Sequence, residues 1–525
     1  MRRLLPTDAP RARYTGFKQE SVILRKGTVR REGAKPLSSD ILFERDVPVT
    51  LRDGITIYTD VFRPVGDQRV PAVVAWSPYG KQVGGQWLDD LTNRSNVPLS
   101  HVSELQKFEA PDPAYWVSQG YAVVNPDVRG AVEASTPGRN RPMGRGNSIV
   151  RAAATSLGIG NLGFEEAIII TFSGNNYVED SPRMYLNGTF YNKYWKNWTP
   201  QLSNITIPAY VVASNTNLVH THGTFDGFHN ILSKNKWLRV RNSHEWPDFY
   251  QQEHTEELRM FFDRYLNGST NTVDRVVKDW PVPGLKSRPF FLHPNNSLAG
   301  KPAHRQGSVS YEIEANTTGV TFSYKVPELV EIIGYIRVRL WVGAKGSDDM
   351  ELAIKVEKRD ADDNAFPHLG SAESTEPVAR GNIRVSRRAL DMSRSTPAEP
   401  YLLHEREDLL SPGQIVPVDI GLWPTALRFH PGEQIVLTIS PTTFSPSTLD
   451  MGLGVASAHV PSDNGTFAPG TSPALKLLGG TISNPEFVAA QRTKTSATRN
   501  NGTHVIHFGG KFGSYVLLPL NRTTT

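Results

Sequence analysis

The chain contains no cysteine among its 525 residues, so it can form neither a disulfide framework nor a thiolate metal site. It lacks any apolar run close to the roughly 20 residues that a membrane-spanning helix requires. Its start, MRRLLPTDAPRARYTG, carries two adjacent arginines but no apolar stretch of the kind found in secretory signals. No motif for RNA or DNA binding accompanies the formal net charge of +5. These absences predict a cytoplasmic protein that binds neither a membrane nor a nucleic acid.

The composition otherwise fits a globular protein with much β structure. Hydrophobic residues make up 38% of the chain and charged residues 21%, which is ordinary for globular domains. The 43 glycines and 38 prolines favour frequent turns. The length allows about two to four domains, each with its own apolar core.

The first half of the sequence alternates strand and helix patterns. Residues 1–45 are polar and basic, which predicts a loosely held arm. Two β-rich runs in VPVTLRDGITIYTDVFRP (47–64) flank Asp53-Gly54, which predicts a hairpin. The run VPAVVAWSPYGK (70–81) predicts a strand buried on both faces of a mainly parallel sheet.

Further runs along this half complete the same pattern. The stretch AYWVSQGYAVVNPDVRG (114–130) predicts the end of a helix, a glycine stop and a buried strand. Two more buried strands are predicted over 205–215 and 236–246, and a helix over 251–268. Alternation of this kind indicates an α/β domain, which we place at residues 46–275.

The pattern changes after the proline-containing stretch DWPVPGLKSRPFFL, which predicts a linker. Short β-patterned runs separated by turns follow, without a helix. They are GSVSYEIEA, GVTFSYKVP, YIRVRLWVGAKG, MELAIKVEKRD, QIVPVDIGLWP, EQIVLTISP, THVIHFGG and SYVLLPL. Such runs predict an all-β sandwich of the jelly-roll type at residues 280–523.

Several of these stretches together resemble one family of serine hydrolases. VTLRDGITIYTDVFRP, VPAVVAWSPYGK and GYAVVNPDVRG resemble the opening of the family that includes cocaine esterase, cephalosporin acylases and Xaa-Pro dipeptidyl-peptidases. NITIPAYVVASNTNLVHTHGT, KWLRVRNSHEWPDFY and LRMFFDRYLNG resemble the later part of its catalytic domain, in the fungal-type branch. The resemblance implies an α/β-hydrolase domain, a jelly-roll domain, and cleavage of esters or amides by a Ser-Asp-His triad without metal or cofactor.

The resemblance assigns roles to residues in three loops. Tyr79 would donate its hydroxyl to the oxyanion, although a packing role is the alternative. His244 would be the general base, although it could be an ordinary loop histidine. The acid would follow the strand IPAYVVAS, where this chain has Asn215. Asp226 is the nearest acid further along, and it could equally be a surface residue.

The nucleophile is the uncertain member of the set. GRGNSIV (144–150) places Ser148 in a stretch that partly matches a nucleophile elbow, where a buried strand aims a serine into the site. The preceding stretch AVEASTPGRNRPMGRGN (131–147) has no apolar run that could form that strand. A βαβ unit needs about 30 residues or more, so the pattern indicates a deletion around residues 136–157. Ser148 is therefore a weak candidate.

Two functional hypotheses remain open at the level of sequence. The chain is either a hydrolase of a small-molecule ester or amide, with a secondary metabolite as the substrate suggested by the resemblance, or a catalytically impaired relative that binds a small molecule or a partner. Labelling by a fluorophosphonate distinguishes them, because that probe reacts with an activated serine. The oligomeric state and the substrate are not readable from the sequence.

Overall fold

The computed structural model describes residues 2–3, 16–76, 81, 97–107, 109–127, 177–178, 190–216, 220–243, 245–270, 279–313, 318–366, 379–441 and 500–521. Asn215 and Asp226 are among them. Tyr79, Ser148 and His244 lie outside these ranges. The predicted first domain ends at 275 and the second begins at 280, and only residues 279 and 280 of this junction are described.

Seven strands are described in the first half, in one mixed sheet and one parallel pair, besides a two-residue ladder between Arg2–Arg3 and Tyr177–Val178. The strands are β1 Glu20–Leu24, β2 Ile41–Thr50, β3 Thr56–Pro64, β4 Ala72–Val74, β5 Ala122–Pro126, β6 Ala209–Ser214 and β7 Lys236–Arg241. The first five form one sheet in the order β1-β2-β3-β5-β4, in which β4 and β5 are parallel. The strands β6 and β7 form a separate parallel pair.

Five helices accompany these strands among the described residues. They are α1 Pro113–Ser118, α2 Lys193–Trp198, α3 Thr221–Asn230, α4 Glu245–Tyr250 and α5 Gln252–Leu266. Short 3-10 turns lie at Leu99–His101, Leu202–Asn204 and, in the second half, Val385–Arg387. The fold class predicted from sequence, an α/β domain, is confirmed for this half.

Two local predictions are confirmed at the level of side chains. The strands β2 and β3 are antiparallel around Gly54, whose φ of 79° is the left-handed conformation that glycine adopts readily. Leu258 and Phe262 of α5 pack on the cluster formed by Trp116, Tyr121 and neighbouring residues of the sheet. The apolar face of α5 thus covers the sheet as its 3.6-residue periodicity predicts.

Two other expectations were wrong. Residues 16–45 are not a loose arm, because Glu20–Leu24 forms the edge strand β1 and the side chain of Leu37 is 2% exposed in the core. The strand predicted over 70–81 is regular only over Ala72–Val74, and its burial is one-sided: Val74 is 54% exposed and Trp76 is 66% exposed. Among the described strands, β4 has a neighbour on one side only. Burial alternates along residues 72–76, so one face of this strand is buried and the other is exposed.

The second half is a β-sandwich. Its strands are β8 Lys286–Leu292, β9 Leu298–Ala299, β10 Gly307–Glu312, β11 Val320–Lys325, β12 Val330–Lys345, β13 Glu351–Arg359, β14 Ala379–Arg384, β15 Val416–Phe429, β16 Gln434–Ser440, β17 Thr503–Phe508 and β18 Tyr515–Asn521. One sheet has the order β9-β8-β18-β12-β17-β10, with β15 also paired to β12, and the other has the order β11-β16-β13-β14. The inward residues of both sheets form one large apolar core.

The two halves share a smaller apolar cluster. Phe225 and Phe228 of α3 pack with Trp280 and with Tyr335 of β12. The rings of Phe225 and Trp280 have centroids 4.9 Å apart. This cluster joins the helix that follows β6 to the sandwich. In the part of the chain that the structure describes, no helix has the length and apolar character needed to cross a membrane.

Candidate active site

The loops that follow β6 and β7 are tied together by hydrogen bonds at the carboxyl ends of these parallel strands. The Ser214 hydroxyl donates to the carbonyl oxygen of Ser243 at 2.7 Å. The Asn215 amide Nδ2 donates to Oδ1 of Asn242 at 2.7 Å, and the Asn215 backbone N–H donates to the carbonyl of Arg241 at 2.9 Å. Asn242 is two residues before His244 in the sequence. The acid position and the segment leading to the base therefore meet, as the resemblance implies.

Asn215 places a neutral side chain at the position where the resemblance predicts the acid. It is 2% exposed, and among the described residues its Oδ1 has no hydrogen-bond partner. Because an amide oxygen accepts hydrogen bonds, this buried atom can receive an N–H from an imidazole and fix its tautomer. An amide cannot neutralise the imidazolium that forms when the histidine takes a proton, so this position offers orientation without charge.

The segment after position 244 is anchored as firmly as the segment before it. Asp248 of α4 accepts from Arg239 of β7 at 2.9 and 2.5 Å and from Arg241 at 3.1 Å. Burial of Asp248 opposes its ionisation, but the hydrogen bonds from Arg239 and the charge of Arg241 outweigh burial and lower the pKa of Asp248. Trp246 Nε1 donates to Oε1 of Glu109 at 3.0 Å. These contacts fix both flanks of the base position.

Asp226 lies in a different environment from Asn215. It belongs to α3, and its Oδ1 accepts from the hydroxyl of Tyr401 at 2.7 Å and from Nδ2 of Asn230 at 3.0 Å. The guanidinium of Arg394 is 3.6 Å from the same oxygen. Tyr401 and Arg394 belong to the second half of the chain, so this carboxylate takes part in contact between the halves. The residue directly after β6, where the resemblance predicts the acid, is Asn215.

A buried charge cluster lies at the carboxyl ends of β4 and β5, next in sequence to Tyr79. The backbone N–H of Lys81 donates to Oδ1 of Asp127 at 2.9 Å. The Lys81 ammonium pairs with Asp46 and with Oδ1 of Asp60, the latter at 2.8 Å. The Lys81 side chain is 1% exposed. Lys81 thus fixes the chain two residues beyond the predicted oxyanion donor.

Buried lysine and aspartate in this cluster have shifted pKa values. Burial lowers the pKa of Lys81, but the charges of Asp60 and Asp127 outweigh it, so the net shift is upward. Burial raises the pKa of Asp127 to about 6, although the amide of Lys81 opposes the shift. Lys107 is 1% exposed, and burial lowers its pKa to about 8.

Sequence reasoning missed this cluster, although a signal was present. Lys81 and Asp127 each end an apolar run, in SPYGK and NPDVRG, and charged residues at the carboxyl ends of parallel strands mark the edge where sites form.

The structure describes β4 but not the segment that contains the candidate nucleophile. Among the described residues, β4 is the edge strand of its sheet. The exposed side chains of Val74, on β4, and of Trp76, two residues after it, lie at this edge. Ser148, the candidate nucleophile, is outside the described residues.

Comparison with known proteins places the chain in a family. The profile of the X-Pro dipeptidyl-peptidase C-terminal non-catalytic domain matches residues 252–517, and that of the X-Pro dipeptidyl-peptidase (S15 family) matches residues 53–135. The chain belongs to the X-Pro dipeptidyl-peptidase family. Members of this serine-type family hydrolyse ester or peptide bonds. Residues 136–251 of this X-Pro dipeptidyl-peptidase relative lie between the two matches. The deletion predicted around residues 136–157 falls in this interval.

Solved structures show the same fold. A CocE/NonD family hydrolase from Staphylococcus aureus has a TM-score of 0.77 and 23% identity, covering 96% of this chain and 97% of that one. An alpha-amino acid ester hydrolase has a TM-score of 0.56 and 13% identity, covering 92% and 97%. An aminopeptidase from a marine sediment archaeon, Thaumarchaeota archaeon, has a TM-score of 0.55 and 13% identity, covering 91% and 96%. At sequence identities this low, the three structures show that this X-Pro dipeptidyl-peptidase relative shares their fold.

One curated relative matches a short segment. It is an L-tyrosine:2-oxoglutarate aminotransferase from Aspergillus ustus, 51% identical over 67 residues. That segment spans 13% of this chain and 13% of the aminotransferase.

Proposed function

We propose that the chain hydrolyses a small-molecule ester or amide through an acyl-enzyme, at a rate far below that of a complete triad. Ser148 would be the nucleophile, His244 the general base and Tyr79 the oxyanion donor. The observation that carries the proposal is the buried Asn215 at the acid position, tied to the segment that precedes His244. Its free Oδ1 is suited to orient an imidazole.

The same residue explains why we expect a low rate. Replacing the acid of a serine triad by an amide lowers turnover by about 10⁴, a loss attributed to the wrong histidine tautomer, and the amide also fails to stabilise the imidazolium. Family membership supports an ester or amide as the substrate, and the resemblance to the fungal-type branch suggests a secondary metabolite.

The test is to restore the acid. Asn215→Asp is expected to raise turnover of a p-nitrophenyl ester at least about tenfold, since a carboxylate would stabilise the imidazolium. The variant should fold, because the amide of Asn242 can turn to donate its N–H to the new carboxylate. Asn204→Asp, an exposed position with the same change in charge, serves as the control and should leave turnover unchanged.

Labelling by a fluorophosphonate separates the possible results. Slow labelling of the unmodified chain, faster labelling of Asn215→Asp and loss of labelling in Ser148→Ala would support the proposal. Fast labelling of the unmodified chain, with no gain from the carboxylate, would mean that Asn215 does not limit the reaction and would overturn it.

A second candidate function is binding without catalysis. It is favoured by the exposure of Val74, on β4, and of Trp76, two residues after it, at the edge of the sheet among the described residues. On this alternative neither the chain nor Asn215→Asp reacts with the fluorophosphonate, because no serine is aimed at the base.

A further inference from the structure

A cavity of about 270 Å³ opens between the start of α1 and the helices α4 and α5. Its walls come from parts of the chain that are distant in sequence: the segment before α1, α1 itself and the α4–α5 pair. Clefts of a few hundred Å³ with aromatic walls are typical of small-molecule sites. A cavity of roughly 150 Å³ already holds benzene, so this one can hold a ring with a short substituent.

The walls are aromatic and held in place. The rings of Tyr115 and Trp116 meet edge to face with centroids 5.4 Å apart, and those of Phe249 and Tyr250 do so at 5.0 Å. Trp116 is 2% exposed and belongs to the core. A ring placed between these walls would meet aromatic edges and faces in the arrangements that aromatic pairs prefer.

The tyrosine hydroxyls of these walls already donate hydrogen bonds within the protein. The hydroxyl of Tyr115 donates to Oε1 of Glu256 at 2.7 Å, and that of Tyr250 donates to the carbonyl of Ala110 at 3.0 Å. These bonds fix both side chains, so the walls are formed before any ligand binds. Such pre-organisation lowers the entropy cost of binding.

Lys35 supplies a positive charge at the cavity. The residue is half-buried, and its backbone N–H donates to the carbonyl of Val102 at 2.9 Å. No hydrogen bond or ion pair joins its ammonium to another residue in the described part of the chain. Its charge acts on Asp112, which also lines the cavity. Because the ammonium forms no hydrogen bond or ion pair of its own there, it can bind an anionic group in the cavity.

The one acid among the described residues that line this cavity, Asp112, already accepts hydrogen bonds from the protein. Asp112, 7% exposed, accepts from the backbone N–H of Ser103 at 2.8 Å, from the Ser103 hydroxyl and from the backbone N–H of Ala114 at 3.1 Å. These donors occupy three of the roughly four acceptor sites of the carboxylate, so most of its accepting capacity is used within the protein. Burial raises the pKa of Asp112, and the charge of Lys35 acts in the opposite direction, but no hydrogen bond joins these two side chains. The cavity therefore favours an anion over a cation.

We propose that this cavity binds a small aromatic carboxylate, with the ring between the aromatic walls and the carboxylate paired with Lys35. Phe249 and Tyr250 belong to α4, which begins directly after His244, so a bound acid would lie beside the base segment. The proposal does not depend on whether the chain hydrolyses anything.

Phenylacetate is the probe, followed by calorimetry and by the fluorescence of tryptophan. For a ligand of about ten heavy atoms we expect a Kd between roughly 0.1 and 1 mM. The neutral amide phenylacetamide should bind at least about tenfold more weakly, because it cannot pair with the ammonium. Cyclohexylacetate keeps the charge and loses the aromatic ring, and it should also bind more weakly than phenylacetate.

Two variants locate the site. Lys35→Met keeps the length of the side chain and should remove the preference for phenylacetate over phenylacetamide. Ser100→Trp fills the cavity from an exposed position and should weaken both ligands. Lys26→Met, an exposed lysine outside the cavity, is the matched control and should bind phenylacetate as the unmodified chain does.

The outcomes are separable from those of the proposed function. Binding is measured on Ser148→Ala as well, so it stands or falls without any turnover or labelling. Equal affinities for phenylacetate and phenylacetamide, or phenylacetate binding that survives both Lys35→Met and Ser100→Trp, would overturn the assignment of this cavity.

Discussion

At the scale of the residue, Lys81 is the buried cation on which several loops depend. Its ammonium pairs with Asp46 and Asp60, and its backbone N–H bonds to Asp127. Removing one partner of a buried pair leaves the remaining charges without compensation, which costs about 3–5 kcal/mol. Lys81→Met should therefore lower the free energy of unfolding by that amount, measured by urea denaturation.

The control for this variant is an exposed lysine that also has an acidic partner. Lys18, whose side chain is 66% exposed, lies 2.5 Å from Glu20. Exposed pairs contribute about 0–1 kcal/mol, so Lys18→Met should change stability little. An equal decrease in the free energy of unfolding in Lys81→Met and Lys18→Met would show that the buried cluster stabilises the fold no more than an exposed ion pair does.

His244 gives a second prediction at this scale. If the chain hydrolyses activated esters, His244→Ala should reduce turnover at least about a hundredfold, the low end for general-base catalysis. The anchoring of its flanks by Asn242 and Asp248 does not involve the imidazole, so folding should be unaffected. Turnover of the ester by purified, folded variant is the measurement, and an active His244→Ala enzyme would remove this residue from the proposed triad.

At the scale of the element, prediction from sequence succeeded where a pattern was long and locally consistent. The hairpin around Gly54, the helix α5 and the eight predicted β-runs of the second half all form. Alternation of period two, set by burial on one face, determines such strands without reference to distant partners. The strands β8, β9 and β14 were missed: prolines surround β8, β9 has two residues, and ARGNIR in β14 alternates poorly.

The site was less predictable than the fold because it depends on contacts between distant segments. The meeting of Asn215 with Asn242 and the pairing of Lys81 with Asp46 join residues far apart in sequence. The half-exposed β4 shows the same limit, because an apolar run becomes buried on both faces only when other parts of the chain pack on both faces of the sheet.

The segment around Ser148 carries the prediction at this scale. Residues 131–147 contain no apolar run, so no buried strand should aim the Ser148 hydroxyl, and it should lie beyond the roughly 2.6–3.2 Å from His244 that a triad needs. Misplacement by about 1 Å can cost a hundredfold in rate. We therefore expect little or no serine-hydrolase turnover from the chain: a small residual turnover agrees with the proposed low-rate hydrolase, and none at all agrees with the second candidate function, binding without catalysis.

Sequencing the mature transcript tests the cause of this loss. A message that encodes extra residues between Arg129 and Leu162 would supply the missing strand, and the longer protein should react rapidly with a fluorophosphonate. Strong Ser148-dependent labelling of the present chain, or an experimental structure with Ser148 on a strand-turn-helix beside His244, would contradict the prediction.

At the scale of the whole molecule, the two halves meet through a polar cluster next to the apolar one. The hydroxyl of Tyr401 contacts Oδ1 of Asp226 at 2.7 Å and Oε1 of Glu399 at 3.1 Å. His222 Nε2 is 3.9 Å from Glu399, and the guanidinium of Arg394 lies 4.3 Å from the centroid of the Tyr401 ring. The contact between the halves thus includes the buried carboxyl group of Glu399, which can gain or lose a proton.

Glu399 should make the stability of the molecule depend on pH. Burial raises the pKa of Glu399 from its usual 4.5 to about 7, while the hydrogen bond from Tyr401 opposes the shift. Between these two values the folded chain binds a proton that the unfolded chain has lost, so this contribution to stability is present below about pH 4.5 and is lost as the pH rises through 7. Glu399→Gln stays neutral at every pH and lacks this dependence.

Urea denaturation at pH 5, 6, 7 and 8 measures the effect. The unfolding free energy of the unmodified chain minus that of the variant should fall from pH 5 to pH 7 and level off above pH 7. Glu405→Gln, at an exposed position, is the control, and parallel pH curves for the unmodified chain and Glu399→Gln would contradict a proton held by Glu399.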